Sequence, residues 1–299
     1  MATTTGGDGS EVLSPHIQTR PHLLLRLWQT WDIALPGAIF FAFILLASLL
    51  ASTIAPRDPG QRDIKNRLKA PSIEYPFGTD EIGRDVFSRV LHGGRSVLGT
   101  GFLALALSFV FGLAIGIPGG YWGGRLDVVL MRCMDIMLSF PSILLAILVV
   151  TTLGTGPGNV IIAVGVAQVP VFARLARSVV LLLMSQEYVV AARALGAKDP
   201  AIVQRHILPN MLPPVLVHAS AMLAVTISSA TALNFLGLGV ETGTPDWGMM
   251  IADGQSLLFD AAHVPFFPGL CLTLTVLSVN FIGDGLRDRL DPYMRNQSG

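Results

Sequence analysis

The chain predicts an all-helical, polytopic membrane protein with six transmembrane helices. Three observations lead there. Of its 299 residues 52% are hydrophobic and only 13% charged, against roughly 25% charged in an average globular chain. Mean hydropathy is +0.60. Apolar windows of transmembrane character recur along the chain, separated by polar loops. The solvent is therefore a lipid bilayer, and no nucleic-acid partner is expected.

The elements follow in chain order. Residues 1–32 form a tail that is Gly-, Ser- and Thr-rich over its first 20 positions and carries Asp8 and Glu11. It reads as disordered and without a cleavable signal, because the first apolar run is too long and too far in. The first span is expected at 33–55, preceded by Trp28 and Trp31 at interface depth. Segment 56–96 is polar. Within it Ile82, Val86 and Val90, with Phe87 and Leu91, repeat at helical spacing and predict a short helix at the membrane surface. Thr79 or Asp80 is expected to cap that helix, Gly93 to end it, and Asp85 to pair with Arg89 at i,i+4. The carboxylates Asp80, Glu81 and Asp85 fit a cation site less well than a solvated charge face with arginine partners.

The core, 97–283, supplies the other five spans. The second runs from about Val97 to Pro118, followed by Tyr121 and Trp122 as anchors. The third lies near Met134–Leu153, with Asp135 expected to pair with Arg132 at its end. The fourth (near Asn159–Phe172) and sixth (near Pro268–Ile282) are short, and the fifth runs near Pro214–Leu238. Residues 284–299 form a second tail. Cys133 and Cys271 lack Cys-x-x-Cys spacing or histidine partners, so no metal site is expected, and none of the three lysines, Lys65, Lys69 and Lys198, sits in a phosphate-loop context.

Orientation follows from lysine and arginine placement. Loops 154–158 and 239–267 contain neither residue and are assigned to the outside, which places both termini and segment 185–210 in the cytoplasm. Segment 56–95 disagrees. It would lie outside, yet it holds Arg57, Arg62, Lys65, Arg67, Lys69, Arg84, Arg89 and Arg95.

Residues 185–210 read as a soluble two-helix module between spans. Ser185 is expected to cap a first helix carrying Glu187 in its first turn, and Gly196 to end it. Asp199 and Pro200 read as the start of a second helix, which Pro209 is expected to stop. Ala191 and Ala192 let another backbone approach closely, while Arg193, Lys198 and Arg205 keep the module wet.

Glu187, Ala191, Ala192 and Gly196, followed by Leu208-Pro209, resemble the EAA loop of ABC importer permeases. The isoleucine of that motif is replaced here by His206 with Ile207 beside it, and Arg205 to Asn210 are similar to the peptide-importing branch. Phe77 to Ser96, Asn234-Phe-Leu-Gly-Leu-Gly239, Thr244-Pro-Asp-Trp-Gly248 and Gly283 to Pro292 resemble the second permease subunit of dipeptide, oligopeptide and nickel importers. The departure is Thr242-Gly243, where relatives carry prolines.

The resemblance implies a type I importer permease in a prokaryotic inner membrane. Its partners would be a second permease, two ATP-binding subunits and an extracytoplasmic binding protein. ATP and magnesium would sit on those subunits, and this chain would have no catalytic residue and no bound cofactor. Glu187, Ala191, Ala192, Arg193, Gly196, Ala197, Asp199 and Pro200 would couple to the ATPases. An ordinary amphipathic connector is the alternative. Ser228, Ser229, Thr231 and Asn234 either line the path or glue helices together, and Pro245, Asp246 and Trp247 either face the binding protein or brace their loop. Glutathione, nickel or another small solute fits the same architecture. A secondary transporter would call for inverted repeats with buried ionisable groups, and a channel would need no coupling module.

Overall fold

In the computed structural model, residues 23–241 and 243–290 are described, with side chains from 34 to 288. The side chains of Trp28 and Trp31, and all of Thr242 and of the outer tails 1–22 and 291–299 with Arg295, lie outside these ranges. Among the described residues the regular elements are helices, joined by one isolated bridge between Thr79 and Asp85. They are α1 (Leu23–Leu49), α2 (Ala51–Ile54), α3 (Val86–Trp122), α4 (Gly124–Leu138), α5 (Ser142–Leu153) and α6 (Pro157–Met184). After these come α7 (Glu187–Ala194), α8 (Asp199–Ile202), α9 (Leu208–Phe235), α10 (Trp247–Gly254) and α11 (His263–Leu290).

Four helical stretches are long and apolar enough to cross a bilayer, and α4 with α5 makes a fifth if the bent pair is one span. Side chains of α1 are described only from Ala34, so Ala34–Leu49 is no measure of its full length as a span. Among the described residues four of the six expected spans are present, or five with the bent pair. The third is not the straight helix the hydropathy suggests, because α4 and α5 meet at 92°. The break falls at Ser139, Phe140 and Pro141, where the proline restricts the residue before it and removes an amide donor.

Helix α6 is the centre of the bundle, with 61% of its apolar window buried. It lies along α3, and glycines at every fourth position of α3 make this possible. A Cβ on Gly112 would collide with Phe172, one on Gly116 with the Ala173 carbonyl, and one on Gly120 would stand 2.9 Å from the Arg177 carbonyl. Small residues at this spacing bring helix backbones together where lipid offers no hydrophobic drive.

Segment 77–96 is not a separate surface helix. From Val86 onward it is the first part of α3, a single helix of 37 residues, about 55 Å long at 1.5 Å per residue. Gly93 does not end it, since Gly93 and Gly94 lie inside the helix under the Trp247 ring. The cap is Asp85, whose Oδ2 accepts from the Ser88 amide at 2.9 Å and its hydroxyl at 2.6 Å. Pro209 does not stop the second module helix either. Helix α8, the π turn Val203–Ile207 and α9 form one stretch from Asp199 to Phe235. The Leu208 amide reaches back to the Val203 carbonyl, and this wider turn admits the Pro209 ring that a regular α turn would reject.

Candidate functional site

The residues singled out in the sequence gather at the two ends of α3. At its C-terminal end sits the two-helix module. The Ser185 hydroxyl donates to the Leu182 carbonyl at 2.8 Å and so closes α6 instead of capping α7, and the capping position belongs to extended Gln186. Gly196 ends α7 as the sequence predicts, in the left-handed region at φ +83°. Its amide bonds Arg193 O at 3.0 Å and that of Ala197 bonds Ala192 O at 3.1 Å, which is the Schellman pattern that satisfies the last carbonyls of a helix. Extended Lys198 occupies the position before α8 without a side-chain cap, while the Asp199 carboxylate accepts from the Tyr121 hydroxyl at 2.8 Å. Tyr121 is therefore a buried strut to the module; Trp122 is the exposed member of the expected aromatic pair.

The module is apolar on two sides. Inward, Val189, Ile202, Ile207 and Met211 are buried with Tyr121, Phe172, Ala176 and Val180 in one cluster, which fixes both short helices to α3, α6 and α9. Outward, Tyr188 and Val190 are exposed and Leu195 is 89% exposed. Ala191 is exposed beside them and Ala192 is half-buried. Glu187, Arg193, Lys198 and Pro200 are also exposed and Ala197 half-buried. Two ion pairs brace α4 against α6 nearby: Asp127 with Arg177, at 2.5 and 2.6 Å, and Asp135 with Arg174 at 2.5 Å. The expected Asp135–Arg132 pair is replaced because an arginine of the neighbouring helix reaches the carboxylate.

At the other end of α3 the polar groups are buried. Asp80 accepts from the Ile82 and Arg84 amides at 3.1 and 2.9 Å and from Arg84 Nε at 2.5 Å. Arg89, 1% exposed, donates to the carbonyls of Pro59 at 3.2 Å and Gly243 at 3.0 Å. The expected arginine partners are present for Asp80, in Arg84 and Arg89, and Glu81 is exposed. The rest of the face is not solvated: Asp80, Arg84, Asp85 and Arg89 are interior, and Asp85 is committed to the helix cap and does not pair with Arg89. The reason is tertiary. The loop before α10 and α10 itself fold over the start of α3, the loop bringing Gly243 and the helix Asp253 against these arginines. Burial raises the Asp253 carboxyl above its ordinary range, opposed by Arg84 and Arg89.

Asp246 and Trp247 belong to the same clasp. Asp246 caps α10, with Oδ1 accepting from the Gly248 and Met249 amides and Oδ2 from Ser96 Oγ at 2.7 Å and Asn234 Nδ2 at 3.0 Å. Burial pushes this carboxyl up as well, and those four donors pull it back. The Trp247 indole donates to Val90 O at 2.8 Å over Gly93 and Gly94. Both side chains are at most 1% exposed, so they brace the loop and present nothing to a partner; Pro245 is half-buried. Of the α9 candidates, Thr231 and Asn234 are buried, while Ser228 is exposed and Ser229 half-exposed. Sequence reasoning missed Ser96 and the clasp role of Arg84 and Arg89. It also missed the Gly112, Gly116 and Gly120 seam, whose four-residue spacing was readable.

Known proteins resemble the chain at both levels. Residues 108–296 match the family described as binding-protein-dependent transport system inner membrane component. The dipeptide transport system permease protein DppC of Alkalihalophilus pseudofirmus is 42% identical over 264 residues, covering 88% of this chain and 87% of that one. The glutathione transport system permease protein GsiD of Escherichia coli O157:H7 is 40% identical over 280 residues, 93% of this chain and 92% of that one. In structure, a chain of the inward-facing MetNI methionine ABC transporter superposes with a TM-score of 0.57 at 21% identity, over 69% of this chain and 97% of its own. That last likeness speaks to the fold.

Proposed function

This chain belongs to the family of binding-protein-dependent transport system inner membrane components, as a permease subunit of an ABC importer, and from that premise we propose that it forms half of a path for di- and oligopeptides. The substrate class is supported by relatives named for dipeptide and for glutathione, itself a short peptide. A second permease supplies the other half, an extracytoplasmic binding protein delivers the solute, and two ATP-binding subunits hold ATP and magnesium. Both termini and the module are cytoplasmic. Ser228 and Ser229 keep an accessible surface on α9 and are the residues assigned to the path.

The observation that carries this reading is the two-sided module. Its outer face, Tyr188, Val190, Ala191 and Leu195, offers apolar surface and small side chains to a docked ATPase, with Glu187, Arg193, Asp199 and Pro200 around it. Its inner face shares a buried cluster with α3, α6 and α9. A packed core is bistable more readily than it is deformable. Closure of the ATPases therefore moves the module and the bundle together, which is how access to the path alternates. Gly196 and Ala197 set the angle between the two short helices through their backbone amides.

Reconstitution tests this. The purified chain is expected to hydrolyse no ATP alone, and hydrolysis with dipeptide uptake is expected once the second permease, the ATPases and the binding protein are added. Robust hydrolysis by the chain alone contradicts the reading. For sidedness, single cysteines at Glu74 and Thr244 are expected to react with an impermeant thiol reagent in intact cells and one at Lys198 is not. Labelling at Lys198 from outside overturns both the orientation and the coupling role.

A further inference from the structure

In the orientation proposed above, the eight basic residues of segment 56–95 lie on the side of the membrane where lysine and arginine are normally sparse, and the structure sorts them into two groups. Arg57 pairs with Glu74 and stacks on Tyr75, Arg84 and Arg89 hold the clasp, and Arg95 caps α1 by donating to Ser48 O at 2.7 Å and to Leu49 O. These four are used within the chain. Arg62, Lys65, Arg67 and Lys69 are exposed, and none has an acid within 4.0 Å among the described residues, though Lys69 Nζ also lies 5.5 Å from the Tyr75 ring. The acid inside that run, Asp63, is bound to Asn66 Nδ2 at 2.6 Å. Two isoleucines of the same segment are exposed, Ile64 at 72% and Ile73 at 103%.

This run is not a loose charged loop. Asp63 N bonds Ile82 O at 3.2 Å, Leu68 N bonds Asp80 O at 3.1 Å, and Lys69 N bonds Thr79 Oγ1 at 2.8 Å. Thr79 is in turn held by His263 at the start of α11, with Nε2 3.1 Å from its carbonyl. The four cations are thus displayed on a frame tied to two membrane helices, and little ordering remains to be done on binding. The length of α3 places the frame beyond its apolar window. Helix α3 begins at Val86, eleven residues before the apolar window that opens at Val97, which is about 16 Å at 1.5 Å per residue. A headgroup layer is roughly 5–8 Å deep on each side, so with α3 along the bilayer normal the frame lies above it, within reach of a soluble protein.

We propose that Arg62, Lys65, Arg67 and Lys69, with Ile64 and Ile73 of the same segment, form the surface on which an acidic face of the binding protein docks. This rests on the reading of the chain as a binding-protein-dependent importer subunit. Opposite charge raises the encounter rate and fixes the register of the complex, and it does so in a salt-dependent way.

The test uses the complete transporter in nanodiscs, titrated with the dipeptide-loaded binding protein of the same importer, at low and at high NaCl. The quadruple variant Arg62→Glu, Lys65→Glu, Arg67→Glu, Lys69→Glu is expected to need at least about tenfold more binding protein for half-maximal stimulation of ATP hydrolysis. Its maximal stimulated rate is retained and its salt dependence is flattened or reversed. The milder Lys65→Gln, Arg67→Gln pair is expected to shift half-saturation in the same direction by a few-fold, and it serves if the quadruple variant does not assemble. Unchanged half-saturation and salt dependence in an assembled variant, while the wild type is stimulated, overturns this inference alone. No stimulation of the wild type overturns the reading beneath it. A defect seen in phosphatidylglycerol nanodiscs and absent from phosphatidylcholine ones assigns the cations to lipid and also overturns the inference.

Discussion

The two ends of α3 are built by opposite means. At the module end the backbone signals are local: the Gly196 turn, the Schellman bonds within six residues, and Pro200 in the first turn of α8. Most of the module's surface is exposed. At the clasp end the bonds are long-range, joining Arg89 to Gly243, Ser96 to Asp246 and Trp247 to Val90 across some 150 residues of sequence, and nearly every partner is buried. The difference teaches where mutation costs folding and where it costs function. A surface that must take up a partner keeps its apolar groups out, whereas a loop that must hold still spends its polar groups on itself.

One substitution made at both ends sharpens the contrast. At Gly94 an added side chain would meet Ser48 and, at 3.1 Å, the Trp247 ring, so Gly94→Val forces α3, α1 and α10 apart. We expect loss of several kcal/mol, of the order of 1–3 for overpacking plus the broken indole contact, and little folded protein by size-exclusion chromatography. At Gly196 nothing lies within 4 Å of an added Cβ. Gly196→Val costs only the left-handed conformation, about 1–2 kcal/mol, and is expected to insert and purify at the wild-type level. Equal yields of the two variants would erase the distinction between the ends.

The smallest effect is expected from Tyr121→Phe, which keeps the ring in its cluster and removes the hydroxyl bond to Asp199. A loss of about 1 kcal/mol should appear as a modest fall in coupled hydrolysis with assembly intact. A tenfold or larger loss would mean that the strut itself carries the motion.

This asymmetry also explains what was legible in the sequence. Spans, the Gly196 stop and the module itself were readable because apolar length and turn chemistry act within a few residues. The clasp was not. Asp80, Asp85 and Arg89 look like a solvated amphipathic face until the loop carrying Gly243 and Asp246 is folded over them, and no short window contains that fact. Asp135 was given the wrong partner for the same reason, since Arg174 comes from another helix. The π turn escaped because Pro209 ordinarily ends a helix, and here the helix widens around it instead. In α9, polarity alone grouped Thr231 and Asn234 with Ser228, and only packing separates the braced residues from the accessible one.

The central claim is that the exposed face of the module is a docking surface. It is tested most directly by Ala191→Asp, an exposed position where a carboxylate is tolerated in the isolated chain but is left unpaired when covered. The measurement is co-purification of the ATPase subunits together with substrate-stimulated hydrolysis in the reconstituted complex, with Gly196→Val alongside. The account predicts normal insertion of both variants, with ATPase retention and stimulation lost. Wild-type retention and stimulation in both would contradict it and leave the module a mere connector.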